Sequence, residues 1–461
     1  MILLLNLNWV MALFAFLLDR YRLPLIIPLA VFCTIGANAP SSDHYYSSQT
    51  GVSIERINPY DVLHARQGKP IVLVATAGGG IQAGAWTTEV LSGLEELSQT
   101  QWKTKYNFAE CLTLVSWVSG GATGSMYFLN LYDPGSHAVF QDQKLKKMKE
   151  DVEESSLDDV AWALVYRDPK RIFFPYLNIS PEEKLLDWGY VLEETWRKRG
   201  GIRANLSDWR AGVREGLRPA VIFNSTVSET GEPFLLSNTD LDPEPLPPWR
   251  LSFYNLYPNT DLPVVTAVRL AATFPYVTPA SRILSPRPQY HMIDGGYYDN
   301  PGVSSLGEWI DEGLRALAEK GETLPEHILI IQIRSFPDET KDTPPTNRGW
   351  FFQAIAPIKG LLSVRTTAQL VRDRSQLTYL ARLWASTRVQ GSLQDRVRFA
   401  TFTFDGTDAP LSWAMNQHQK DAITEHWNEI LRANTKDLRW VHCTFDAQSS
   451  DCSSDECNGP Y

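Results

Sequence analysis

The chain of 461 residues has no excess of basic charge: 43 lysines and arginines stand against 53 aspartates and glutamates, a net charge of -10. That balance argues against nucleic-acid binding, which needs a basic stripe. Cysteine is sparse, with five residues. Cys33 lies in an apolar segment, Cys111 leads into a strand, and Cys443, Cys452 and Cys457 fall in the tail. No histidine stands at ligand spacing to them, so no zinc site is expected. Nor is there EF-hand spacing for calcium. Internal repeats are absent, which excludes a solenoid. No linker interrupts Lys69 to Trp440, so one large domain is expected rather than the three that length alone suggests. Neither a metal nor a cofactor is expected.

What the chain does have is aromatic side chains, including 15 Trp and 18 Tyr. Such a content suits a large apolar cleft or contact with a membrane interface. The amino terminus is apolar. "MILLLNLNWVMALFAFLL" offers about 17 apolar residues, or about 26 Å of helix. "DRYR" interrupts, and "LPLIIPLAVFCTIG" adds about 14 more. The favoured reading makes residues 1–38 a membrane anchor of one or two transmembrane helices. A signal peptide cleaved after "ANA" competes, but Pro40 follows that site directly. A soluble buried hairpin fits least, for want of a polar face. If Arg20 and Arg22 stay cytoplasmic, the rest of the chain lies outside, so the expected location is membrane-anchored and extracytoplasmic. The tail cysteines leave two readings open: one disulfide in an oxidising compartment, or three free thiols.

Residues 39–66 are polar and turn-rich, a connector. Beyond them, buried strands alternate with helices. "IVLVA" (Ile71 to Ala75) is a continuous apolar run, followed by glycines and a helical stretch with Trp86, Val90, Leu91 and Leu94 on one face. "CLTLVSWV", "HILIIQIRSF" and "VRFATFTFDG" read as further strands. "PAVIFNSTVSETGEPFLLSN" reads as a hairpin turning at Glu229 to Glu232. Residues 140–185 are charged and resemble a lid in composition. The pattern predicts an α/β protein, a three-layer α/β/α sandwich with a mainly parallel central sheet. Residues 67–440 form the catalytic domain on this reading, and 441–461 an acidic tail.

Three stretches carry chemistry. Gly78, Gly79 and Gly80 lie between a strand and a helix, where free N–H groups can hold a phosphate or an oxyanion. A dinucleotide fingerprint is discounted, because the nearby acids Glu95 and Glu96 lie on a helix. Ser119, in "SWVSGGATGS", sits on a tight strand-to-helix turn of small residues, as a nucleophile does. It could equally cap the following helix. Thr123 and Ser125 are weaker candidates, being inside that helix. Asp294, in "MIDGGYYDNPG", ends an apolar strand before a Gly-Gly turn, where a carboxylate can deprotonate a hydroxyl.

Taken in order, "AGGGIQAGAW", "WVSGGATGS", "AVRLAATFPYVTPA" and "MIDGGYYDNPG" resemble the patatin-like phospholipases, and "NSTVSETGEPFLLSN" resembles that family's hairpin between serine and aspartate. The resemblance covers most of Lys69 to about Asn434. It implies a Ser-Asp dyad without a catalytic histidine: Ser119 as nucleophile, Asp294 as base, and Gly78 to Gly80 as oxyanion hole. It also implies a membrane lipid substrate, cleaved as a phospholipid or lysophospholipid ester. Two positions depart from the pattern. Gln82 stands where the family has an arginine, and Trp117 where the elbow has a glycine. A free aspartate titrates near ~3.9 and is a weak base, and burial without a cation raises that value. His327, His418, His426 and His442 follow Asp294 in the order a triad would need, yet none lies in a Gly-rich loop. Rival readings are a silent lipid-binding scaffold, motivated by Gln82 and Trp117, a nucleotide-binding enzyme and a lipid acyltransferase. Oligomeric state is not legible.

Overall fold

The computed structural model describes residues 2–21, 31, 34–35, 43–102, 105–132, 140–168, 180–242, 250–274, 277–336, 369, 371–372, 375–379, 382, 397–406 and 413–445. Cys33, Cys452 and Cys457, most of the second apolar segment and part of the expected lid (169–179) lie outside them.

The strands are β1 (Tyr45–Tyr46), β2 (Gln49–Thr50), β3 (Ile71–Thr76), β4 (Leu112–Trp117), β5 (Ala220–Val227), β6 (Pro233–Ser237), β7 (Leu251–Ser252), β8 (Thr260–Asp261), β9 (Arg282–Ile283), β10 (Met292–Asp294), β11 (Ile328–Arg334) and β12 (Val397–Thr403). The helices that matter here are α1 (Ile2–Tyr21), α2 (Gly80–Thr100), α3 (Ser119–Leu129), α4 (Asp142–Glu153), α5 (Leu157–Tyr166), α6 (Trp188–Gly200), α7 (Val264–Ala271), α8 (Val303–Glu319), α9 (Gln417–Ala433) and α10 (Lys436–Phe445).

One sheet runs in the order β12-β11-β3-β4-β5-β6-β7, with β10 also paired to β5. Neighbours from β12 to β5 are parallel, as are β6 and β7, while β5 meets β6 and β10 antiparallel. The expected α/β fold with a mainly parallel sheet is therefore present. Its strands are apolar on both faces because helices cover both. Val72 and Val74 of β3 enter one apolar cluster with α2, α3 and α9, and Ile71, Leu73 and Ala75 enter another with α8 and the short helix Pro59–Ala65. The hairpin expected around Glu229 to Glu232 joins β5 to β6.

The expected transmembrane helices are not found: among the described residues no helix is long and apolar enough to cross a membrane. In α1, Asn6 and Asn8 at one end and Asp19 and Arg20 at the other bound an apolar run from Trp9 to Leu18. That run spans about 15 Å, roughly half a bilayer core. Within the segment read as a connector, β1 pairs with β9 and β2 with β8, and Tyr45 and Tyr46 are buried. Cys443 of α10 is disulfide-bonded, and Cys111 is free and buried.

Candidate active site

β4 ends at Trp117 and the chain turns at once into α3, whose first residue is Ser119. Ser119 has φ 53°, the left-handed region that a residue with a Cβ avoids. Such strain of about 1–2 kcal/mol persists where the surroundings impose it. Here they do. A Cβ on Gly120 would strike the Gly80 carbonyl, and one on Gly124 would strike that of Gly84, so α2 and α3 cross in backbone contact. The helix cannot rotate away from that crossing, and the turn before it absorbs the angle.

The glycine run lies against the serine. A Cβ built on Gly78 would stand 2.9 Å from Ser119 Cβ and 3.5 Å from its Oγ. Gly78 donates its N–H to the Asn300 carbonyl at 3.4 Å. The N–H groups of Gly79 and Gly80 make no hydrogen bond among the described residues, at the start of α2. Of the three glycines read as an oxyanion hole, these two keep their donors open. Ser335, just past β11, braces the loop by donating its hydroxyl to the Gly78 carbonyl at 3.3 Å.

Asp294 closes β10, opposite Ser225 of β5, and is 3% exposed. Its N–H donates to the Thr273 carbonyl at 2.9 Å, and its Oδ1 accepts the Gly296 N–H at 2.7 Å. Asn300 joins the two halves. A Cβ on Gly78 would meet its Oδ1 at 2.7 Å, and one on Gly296 would meet the same atom at 2.9 Å and Asp294 Oδ1 at 3.0 Å. Asn300 was not singled out in the sequence. The only signal for it was its place in "YDNPG", a stretch that also reads as a turn.

The two departures have structural roles. Gln82 is buried in the first turn of α2 and donates Nε2 to the Ser335 carbonyl at 3.0 Å. Trp117 points into the core, its ring T-shaped on Phe223 with centroids 4.5 Å apart. Its carbonyl accepts from Asn224 Nδ2 at 2.9 Å, and Asn224 also reaches Ser116 and Ser305. Trp117 thus sits beneath the elbow rather than in it. Thr123 and Ser125 lie within α3, as expected.

The four histidines in the order a triad needs lie elsewhere. His327 precedes β11, and its carbonyl accepts from Ile71 at the amino-terminal edge of the sheet, opposite the elbow. His426 binds the Thr403 carbonyl and packs on Trp86. His442 stacks on Trp102, and His418 is exposed.

The sequence model of the family described as patatin-like phospholipase matches residues 74–306, just over half of the chain and the whole stretch from the glycine loop past Asp294. The chain belongs to the patatin-like phospholipase family. Among solved structures, human GIVD cytosolic phospholipase A2 is 14% identical over 59% of this chain, with TM-score 0.33. VipD from Legionella pneumophila is 11% identical over 90% of this chain and 73% of its own, with TM-score 0.30. The type III effector ExoU is 12% identical over 81% of this chain and 53% of its own, with TM-score 0.31. The chain spans 47% of the length of the first of these. Comparison with curated proteins finds no match.

Proposed function

We propose that this patatin-like protein is a serine acyl hydrolase of phospholipid or lysophospholipid esters that works through an acyl-enzyme. The observation that carries the reading is Ser119, held at φ 53° between a strand and a helix with the glycine loop against its Oγ. A serine that only caps a helix has no need of that conformation.

In the proposed cycle Ser119 Oγ attacks the ester carbonyl and gives its proton to Asp294. The N–H groups of Gly79 and Gly80 stabilise the tetrahedral oxyanion, joined by that of Gly120, the residue after the nucleophile. Asp294 then protonates the leaving alcohol. Water, deprotonated by Asp294, releases the fatty acid and restores the serine.

A lipid substrate places the enzyme at a membrane. The exposed apolar side chains of α1, Trp9, Leu13 and Phe16 among them, suit contact with a lipid surface. The disulfide at Cys443 suits an extracytoplasmic location.

The test is fluorophosphonate labelling of the full chain, with the adduct mapped by mass spectrometry. Labelling is expected at Ser119, absent in Ser119→Ala and slowed about 10²- to 10⁴-fold in Asp294→Asn, the span of a general base. A folded wild type that resists the probe would favour a silent lipid-binding protein instead.

A further inference from the structure

The turn that follows Asp294 carries backbone groups it does not satisfy by itself. Gly295 to Tyr297 form a single 3-10 turn, and at its start the Gly296 N–H donates to Asp294 Oδ1 at 2.7 Å. Its carbonyls point the other way. There the Asp299 N–H goes to the Gly295 carbonyl at 3.0 Å, and Pro301 has no N–H to give. The carbonyls of Gly296, Tyr297 and Tyr298 therefore turn to a side chain from outside the turn.

That side chain comes from far along the sequence. Gln369, 6% exposed, places its Nε2 2.9 Å from the Tyr298 carbonyl and 3.4 Å from those of Gly296 and Tyr297. Its Oε1 accepts the Asn300 N–H at 3.3 Å. One amide thus uses both its donor and its acceptor ends on a single loop. Arg372 adds a donor to the Tyr298 carbonyl at 3.2 Å and lies over the Tyr298 ring, 5.4 Å from its centroid. Leu377, further on, is buried in the apolar cluster that holds Val303 and Leu306 of α8.

The loop held in this way joins both halves of the site. The Asn300 carbonyl accepts the Gly78 N–H, and Asn300 Oδ1 fills the space between Gly78 and Gly296. A slip of the loop therefore moves the Asp294 carboxylate and the glycine run together, relative to Ser119. Hydrogen bonds at the carbonyl end also polarise the turn, which strengthens the Gly296 N–H as a donor to Asp294. An apolar side chain of the same size would leave the Asn300 N–H and the carbonyls without this partner, a cost the loop relieves by moving. Gln369 lies beyond residues 74–306, the stretch that matches the family model.

We infer that Gln369 is a positioning residue. Acting through the loop from Gly295 to Asn300, it holds the Asp294 carboxylate and the Gly78 to Gly80 run in register with Ser119. The inference rests on the hydrolase reading for the roles of those groups.

The test is the concentration dependence of fluorophosphonate labelling in the full chain. Gln369→Met keeps the length of the side chain and removes both hydrogen-bonding ends. Its maximal labelling rate is expected to fall about 10- to 100-fold, the effect of a misplacement of about 1 Å, with the half-saturating concentration unchanged. Gln369→Glu keeps the acceptor for Asn300 and loses the donor. It is expected to fall in the same way, and it carries the test if the methionine variant does not fold. In both, hydrogen exchange of the amides at residues 78–80 is expected to quicken. A maximal rate equal to wild type in a folded variant would overturn the inference, and a raised half-saturating concentration alone would mark a substrate contact instead. If wild-type Ser119 resists the probe, the hydrolase reading fails and exchange decides the rest. Faster exchange at residues 78–80 in the variants then keeps the positioning role, and unchanged exchange removes it.

Discussion

Asp294 holds the place in the sheet that Ser119 would hold if β4 ran straight on. Trp117 pairs with Phe223, so two residues further along a continued strand would face Ser225. Asp294 faces Ser225 instead. Ser119 leaves the ladder where its strand breaks into α3, and the Asp294 carboxylate enters from the opposite direction at the vacated position. One strand, β5, therefore sets both members of the proposed dyad, through its first half to β4 and its second half to β10.

The strain at Ser119 gives a prediction that separates structure from chemistry. Both Ser119→Ala and Ser119→Gly remove the proposed nucleophile, but only glycine adopts φ 53° without steric cost. The glycine variant is expected to be more stable than the alanine variant by about 1 kcal/mol, read as a higher urea midpoint. Equal midpoints would mean that the turn is not strained in solution.

The crossing of α2 and α3 admits no added methyl. Gly120→Ala places its Cβ against the Gly80 carbonyl, backbone on backbone with no flexible side chain to yield. A loss of about 1–3 kcal/mol in stability is expected, together with loss of fluorophosphonate labelling as the elbow shifts. Unchanged thermal unfolding would show that the helices do not approach so closely.

Glu95 of α2 predicts how stability depends on pH. It is fully buried, and burial pushes its carboxyl up to about 7, although the Ala109 N–H at 2.7 Å and Gln99 Nε2 at 2.5 Å favour the charge. A carboxyl whose folded pKa lies above its unfolded one stabilises the fold below the unfolded value and loses that contribution as pH rises through the folded value. Wild-type stability should therefore fall between about pH 4.5 and pH 7, by up to about 3 kcal/mol. Glu95→Gln should flatten that slope. Chemical denaturation across the range checks both, and a parallel slope in the variant would refute the assignment.

His291 is pH-sensitive in the same sense. Its Nε2 lies 2.8 Å from Asp43 and its Nδ1 2.6 Å from Glu229, so both ring nitrogens serve as donors only in the imidazolium. The hydrogen bond to Asp43, then that to Glu229, hold its pKa above the usual histidine value against desolvation, and Arg282 shares Asp43 at 2.5 Å. Its contribution is complete below the unfolded pKa near ~6.5 and is lost as pH rises through the raised one. Proteolysis within residues 43–52 should accelerate over that interval, and Asp43→Asn should accelerate it at every pH. Indifference to pH would exclude a charged clamp.

The sequence alone determined what depends on local order. Apolar runs such as Ile71 to Ala75 and Ile328 to Ile333 have the length and β-branched content of strands buried on both faces, and glycines or small residues follow them where helices begin. The four family motifs, read together, marked Gly78 to Gly80, Ser119 and Asp294. The amino-terminal apolar run raised the expectation of a membrane span, and among the described residues no helix is long and apolar enough to make one.

Only the tertiary structure decided what depends on elements distant in the chain. The register that puts Asp294 opposite Ser225 joins residues 69 apart. The same holds for Asn300 against the glycine loop, for the Gly78 N–H turned to Asn300, and for Gln369 against the loop after Asp294. Those contacts are made by close packing of separate helices and strands, and no local propensity records which pair will meet.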